Sequence, residues 1–166
     1  MISTFSNARL LLVEDDIPKR KAISSYLNEK NIGLSIDTAE SLSTAIKKVG
    51  GEKYWIAIID MSIPTYDILK DKEGGGQPQN FGGTEVLRFL ESESPETYPI
   101  VITQYKEFSG PGMRFKSLDD LRNDLLEEFS GFLYDVIYYS GSNGDWKNDL
   151  DEVIDNLIKA AGGDEK

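Results

Sequence analysis

Apolar positions follow two rhythms along this chain. Short, nearly unbroken apolar runs predict strands at 9–13, 34–39, 54–59, 99–103 and 134–140. Four of these are continuous, as in a parallel sheet covered on both faces. The run Leu34-Ser35-Ile36-Asp37 alternates instead, which suits an edge strand. Between the runs, apolar residues recur at helical spacing. A first helix follows Asp16, with Pro18 in its first turn and Ile23, Tyr26 and Leu27 facing inward. Leu42, Ala45, Ile46 and Val49 stripe a second helix, and Val86, Leu87 and Leu90 mark a third opening at Gly83. Ser117 and Asp120 read as a capping box for a fourth, carrying Leu118, Leu121, Leu125 and Phe129. Trp146, Leu150, Val153, Ile154, Leu157 and Ile158 make the fifth the clearest amphipathic helix. Alternating strands and helices of this kind predict a doubly wound α/β fold, a parallel sheet with helices on both faces.

Two stretches break the rhythm. Thr65 to Gly83 contains Lys70-Asp71-Lys72-Glu73 and Gly74-Gly75-Gly76 without apolar periodicity, and Glu107 to Lys116 contains the turn signal Ser109-Gly110-Pro111-Gly112. Both leave the C-terminal side of predicted strands. The expected organisation is one domain over 8–161 with inserted loops near 65–83 and 104–117, and flexible ends at 1–7 and 162–166.

Composition narrows the chemistry. The chain has 166 residues, enough for a substantial core. Its 18 basic and 29 acidic residues give a net charge of -11, which argues against general nucleic-acid binding. No apolar stretch reaches the length of a membrane span and the first residues lack a signal-peptide pattern, so a cytoplasmic location is expected. There is no cysteine and no histidine. Thiol catalysis, imidazole metal sites and Ser-His-Asp chemistry are therefore excluded, and a phosphohistidine would have to belong to a partner.

The remaining chemistry is carboxylate. Leu10-Leu11-Leu12-Val13 ends in Glu14-Asp15-Asp16, and Ile56-Ala57-Ile58-Ile59 ends in Asp60. Open α/β sheets place their sites at the C-terminal ends of strands, so both runs deliver acids to one edge. Carboxylates gathered there repel one another unless a cation joins them. Hard oxygen donors with no softer ligand nearby suit Mg²⁺.

With these residues in order, the chain resembles the receiver domain of two-component response regulators, in an atypical, chemotaxis-receiver-like form. Leu11-Leu12-Val13-Glu14-Asp15-Asp16 is similar to the family's first-strand acidic motif. Ile58-Ile59-Asp60-Met61-Ser62-Ile63-Pro64 is similar to its phosphoacceptor motif, proline included. Pro99-Ile100-Val101-Ile102-Thr103 resembles the fourth strand ending in the switch hydroxyl. The resemblance implies a five-stranded parallel sheet in the flavodoxin-like order 2-1-3-4-5. It implies that Asp60 accepts a phosphoryl group from a histidine kinase or phosphotransfer protein, and that Thr103 turns toward the new phosphoryl oxygens. It also implies that Mg²⁺ is bound by Glu14, Asp15, Asp60 and the backbone carbonyl of Ser62. Asp16 reads as the cap of the first helix. Such a domain is not an enzyme beyond its own phosphorylation and dephosphorylation. The positions that tune phosphoryl lifetime in the family are Ser62 and Tyr105, neither suited to orienting a hydrolytic water, so slow dephosphorylation is expected.

One departure matters. The family's fifth strand ends in a lysine that pairs with the acceptor aspartate, and here Tyr139 or Ser140 stands in its place. Lys106 is a candidate to reach in from the neighbouring loop. Pro18-Lys19-Arg20-Lys21 reads as a solvated helix face, with a kinase-docking patch or a targeting signal as the sharper alternatives. Two functions follow. One is a single-domain response regulator that signals through a protein partner. The other is a degenerate receiver acting as a phosphorylation-independent interaction module. A metal-dependent phosphatase or nuclease is disfavoured because Asp60-Met61-Ser62 lacks a second carboxylate. Gly74-Gly75-Gly76 lacks the lysine of a phosphate-binding loop, and Gly162-Gly163-Asp164-Glu165 matches a cyclic-dinucleotide synthase motif by chance.

Overall fold

A computed structural model describes residues 8–30, 33–64, 82–104, 108–110, 113–116, 118–139 and 144–163. Five parallel strands form one sheet: β1 (Arg9–Val13), β2 (Ser35–Ala39), β3 (Ile56–Ile59), β4 (Tyr98–Thr103) and β7 (Asp135–Tyr138), in the order β2-β1-β3-β4-β7. Numbered by position in this sheet, that is 2-1-3-4-5. The alternating run is indeed an edge strand: among the described residues β2 pairs only with β1. β1 also pairs with β3, matching Val13 to Ile59. That register brings the residues after Val13 and Ile59 to the same end of the sheet, side by side.

Side chains of successive strand residues point to opposite faces, and the core divides accordingly. On one face, Leu11, Val13, Ala57, Ile59, Val101 and Val136 pack beneath α2 (Leu42–Gly51), α3 (Gly82–Glu93) and α4 (Leu118–Glu128). On the other, Leu10, Leu12, Ile56, Ile58, Ile100, Ile102 and Ile137 pack beneath α1 (Ile17–Lys30) and α5 (Asp145–Gly163). The fifth helix supplies Trp146, Leu150, Val153, Ile154 and Leu157 to this second layer. Such burial on both faces is why β1, β3 and β4 carry almost no polar residue.

The structure corrects the sequence reading at several boundaries. The stretch 104–117, expected as a loop, contains an antiparallel hairpin of β5 (Phe108–Gly110) and β6 (Met113–Lys116) with a bulge. The turn signal at Pro111 and Gly112 lies outside the described residues, and the short strands on either side of it pair with each other. The strands at 34–39, 54–59 and 134–140 are shorter than their apolar runs, because pairing with neighbours rather than hydropathy sets their ends. α3 opens at Gly82 rather than Gly83, and α5 continues to Gly163. Ser117 of the expected capping box and the stretch 65–81 lie outside the described residues, as do 1–7 and 164–166. Among the described residues no helix is long and apolar enough to cross a membrane.

Candidate functional site

The C-terminal ends of β1 and β3 build the site. Glu14 follows β1, and its amide donates to the Ala39 carbonyl at 2.9 Å; the Asp60 amide donates to the Val13 carbonyl at 3.0 Å. These ladder bonds continue the sheet by one residue and fix both carboxylates at its rim. Carboxylate oxygens of Glu14, Asp15 and Asp60 lie within 4.8 Å of one another. They open onto a cleft of about 270 Å³ lined also by Asp16, Lys19, Ser62, Thr103 and Gln104. Every acid implied by the resemblance is therefore in one place, with Thr103 buried at the end of β4 beside it.

Local bonds orient each group. The Ser62 amide donates to Asp60 Oδ2 at 3.2 Å, and the Asp16 amide donates to Glu14 Oε2 at 3.0 Å. Asp16 caps α1: the Lys19 amide donates to its Oδ2 at 3.0 Å. The turn after Asp60 is held against α3, where the Gly83 amide donates to the Met61 carbonyl at 2.9 Å. A Cβ on Gly83 would lie 2.5 Å from the Asp60 carbonyl oxygen, and one on Gly82 would lie 2.4 Å from that of Ile63. Only glycine permits so close an approach.

The residue that sequence reasoning misplaced is Lys19. It is not on a solvated face: its side chain is 2% exposed. The ammonium lies 2.7 Å from Glu14 Oε1, 3.0 Å from Asp60 Oδ1 and 3.0 Å from the Ile102 carbonyl oxygen. Three donors thus meet three acceptors. Its Nζ also stands 5.4 Å from the centre of the Tyr139 ring. The Tyr139 amide donates to the Thr103 carbonyl at 2.8 Å, so this aromatic occupies the strand end where a lysine was expected. Arg20 is only partly exposed. It donates to the Glu14 carbonyl at 3.2 Å and pairs with Glu40 at 2.9 Å, tying α1 to β1 and to the end of β2. A signal for Lys19 was present: Lys19, Ile23 and Leu27 are the buried residues of α1, spaced one helical turn apart. Extending the apolar stripe one turn back reaches Lys19. Lys106, the earlier candidate, lies outside the described residues.

Burial decides the electrostatics. The Glu14 carboxyl is pushed up to about 7 by its removal from water; attraction to Lys19 opposes the rise and repulsion from Asp60 adds to it. Asp15 is also raised, by burial and then by Asp60. Burial disfavours the Lys19 ammonium, but Asp60 and Glu14 outweigh it and hold the group charged. With all groups ionised, three carboxylates and one ammonium leave two negative charges, which one divalent cation would cancel. The donors are hard oxygens throughout, which fits Mg²⁺.

No family model matches the sequence. The chain is 24% identical over 151 residues to the Detocs response regulatory protein DtcB of Enterobacter cloacae (strain JD6301), covering 90% of this chain and 99% of that protein. A CheY-like response regulator receiver domain protein from Methanospirillum hungatei JF-1 superposes with a TM-score of 0.64 at 19% identity, covering 96% of this chain and 99% of that one. The response regulator protein TrrA of Thermotoga maritima, solved in complex with Mg²⁺ and BeF, gives a TM-score of 0.58 at 21% identity, covering 88% and 98%. Sheet order, helix placement and these neighbours agree: the chain has the fold of a response regulator receiver domain.

Proposed function

We propose that this protein is a response regulator that accepts a phosphoryl group on Asp60 from a histidine kinase or phosphotransfer protein and signals through protein–protein interaction. The observation that carries this reading is the convergence of Glu14, Asp15 and Asp60 at one strand edge, with Thr103 lining the same cleft. Its likeness to a response regulatory protein over nearly the whole of both chains supports it. Asp60 is the nucleophile. Glu14, Asp15, Asp60 and Ser62 hold Mg²⁺, which when bound offsets the charge of the incoming phosphate. Thr103 is placed to hydrogen-bond the transferred group, and its movement is the switch that a partner reads. The chemistry is limited to the domain's own phosphorylation and slow dephosphorylation, and its place is the cytoplasm, with its phosphodonors.

A second reading has one observation in its favour. The Lys19 ion pairs already give Glu14 and Asp60 a counter-charge before any metal or phosphate arrives. A receiver held in one state by that lysine would be a phosphorylation-independent interaction module.

Intact mass after incubation with Mg²⁺ and acetyl phosphate or phosphoramidate separates the two. The phosphoacceptor reading expects a gain of one phosphoryl group that is lost in Asp60→Asn. No gain with either donor at saturating Mg²⁺ overturns the phosphoacceptor reading and favours the second.

A further inference from the structure

We propose that Lys19 is the cation that positions the phosphoryl group at Asp60, supplied from α1 instead of from the end of the last strand. This rests on the reading of Asp60 as phosphoacceptor. Asp60 Oδ2 is engaged by the Ser62 amide, whereas Oδ1 faces the Lys19 ammonium at 3.0 Å. A phosphoryl group joined to either oxygen lies within reach of an ammonium at that distance. Lysine suits the task because its charge sits on a flexible stem and can follow the new oxygens without moving the helix. The Tyr139 ring limits where it can go. It fills the end of β7, where a second cation would otherwise stand, and presents its π-face to the first. The positive charge at Asp60 is kept, supplied from α1 rather than from the last strand.

The transfer balances with Lys19 protonated throughout. With acetyl phosphate, an Asp60 carboxylate oxygen forms the new O–P bond while the bond from phosphorus to the acetyl oxygen breaks. Acetate leaves with the electron pair and no proton changes hands. Lys19 donates hydrogen bonds to oxygens whose charge is redistributed during transfer, a role in positioning and electrostatic stabilisation.

The test is Lys19→Gln, which keeps a polar group of similar length without charge, studied with saturating Mg²⁺ and acetyl phosphate. The rate of phosphorylation should fall by about tenfold or more. Mg²⁺ affinity, measured by calorimetry, should rise instead, because a competing cation has gone from the carboxylates. A lysine that merely braces the fold would weaken both. The double variant Lys19→Gln/Tyr139→Lys returns an ammonium from the strand side and should recover most of the rate. It also carries the test if the single variant melts below the assay temperature. Wild-type rates in a folded Lys19→Gln overturn the assignment, as does a folded double variant that binds Mg²⁺ without any recovery. If wild-type protein takes no phosphoryl group, the phosphoacceptor reading fails and this assignment falls with it. If wild type is phosphorylated and Lys19→Gln matches it, only the lysine assignment falls.

Discussion

Lys19 Nζ lies 3.0 Å from Asp60 Oδ1 across the boundary between α1 and β3, and both side chains are almost wholly buried. Removing one partner of such a pair leaves charge without compensation in a low-dielectric setting. Lys19→Met should therefore destabilise the metal-free protein by about 3 kcal/mol at pH 8, where Glu14 is ionised. Urea unfolding with and without Mg²⁺ reads this directly. Mg²⁺ should restore much of the loss, since a divalent cation replaces the missing charge. Equal stability of Lys19→Met and wild type without metal would show that the pair contributes nothing net.

Metal binding should depend on pH through Glu14. Its folded pKa of about 7 lies above the ordinary 4.5, so the folded state holds this proton more tightly than the unfolded chain does. Glu14 therefore favours folding below about pH 4.5, and that contribution is lost as pH rises through 7. Mg²⁺ requires the ionised form, so its affinity should climb between about pH 5 and 8 with proton release on binding. Calorimetry in buffers of different ionisation enthalpy measures both. An affinity flat across this range would remove Glu14 from the metal site.

At the opposite end of the sheet, the Tyr54 hydroxyl donates to Asp37 Oδ2 at 2.7 Å, and Arg9 Nη2 lies 3.1 Å from Oδ1. Burial would raise the Asp37 carboxyl, but the Tyr54 and Arg9 bonds outweigh it and lower it. Stability from this depressed carboxyl is present above its ordinary value of 3.8 and lost as pH falls through the folded value. Tyr54→Phe should cost about 1 kcal/mol near neutrality and progressively less in acid. Thermal melts across pH test it, and a cost that does not shrink in acid would show that the hydroxyl acts elsewhere.

Two glycines make a matched pair. A Cβ at Gly83 meets the Asp60 carbonyl oxygen at 2.5 Å, whereas at Gly50 in α2 it meets nothing within 4 Å. Gly83→Ala should destabilise by about 1–3 kcal/mol and slow phosphorylation, because the turn carrying Asp60 must shift. Gly50→Ala should stabilise by up to about 1 kcal/mol through helix propensity and leave phosphorylation unchanged. Denaturant melts of both, beside the phosphorylation assay, decide the matter.

What the sequence determined by itself was set by periodicity and by strand ends. Continuous apolar runs can be satisfied only by a sheet covered on both faces, and an acid following such a run must emerge at the sheet's rim. Glu14, Asp15 and Asp60 were legible as rim residues for that reason and Asp16 as a cap, whereas Thr103 was singled out only through the family resemblance. The stripe through Ile23 and Leu27 pointed to the face of Lys19, but tertiary structure decided what the ammonium meets there. Lysine in a run of charges reads as solvated, since one nearby carboxylate does not by itself offset the desolvation of an ammonium. Its compensation comes from Glu14, nearby in sequence, and from Asp60 and the Ile102 carbonyl, which come close only once β1, β3 and β4 lie side by side. The β5–β6 hairpin was hidden for a related reason, its short strands being defined by pairing with each other and not by an apolar run. Hydropathy reports what a residue avoids, and only the folded chain supplies the partner that changes the outcome.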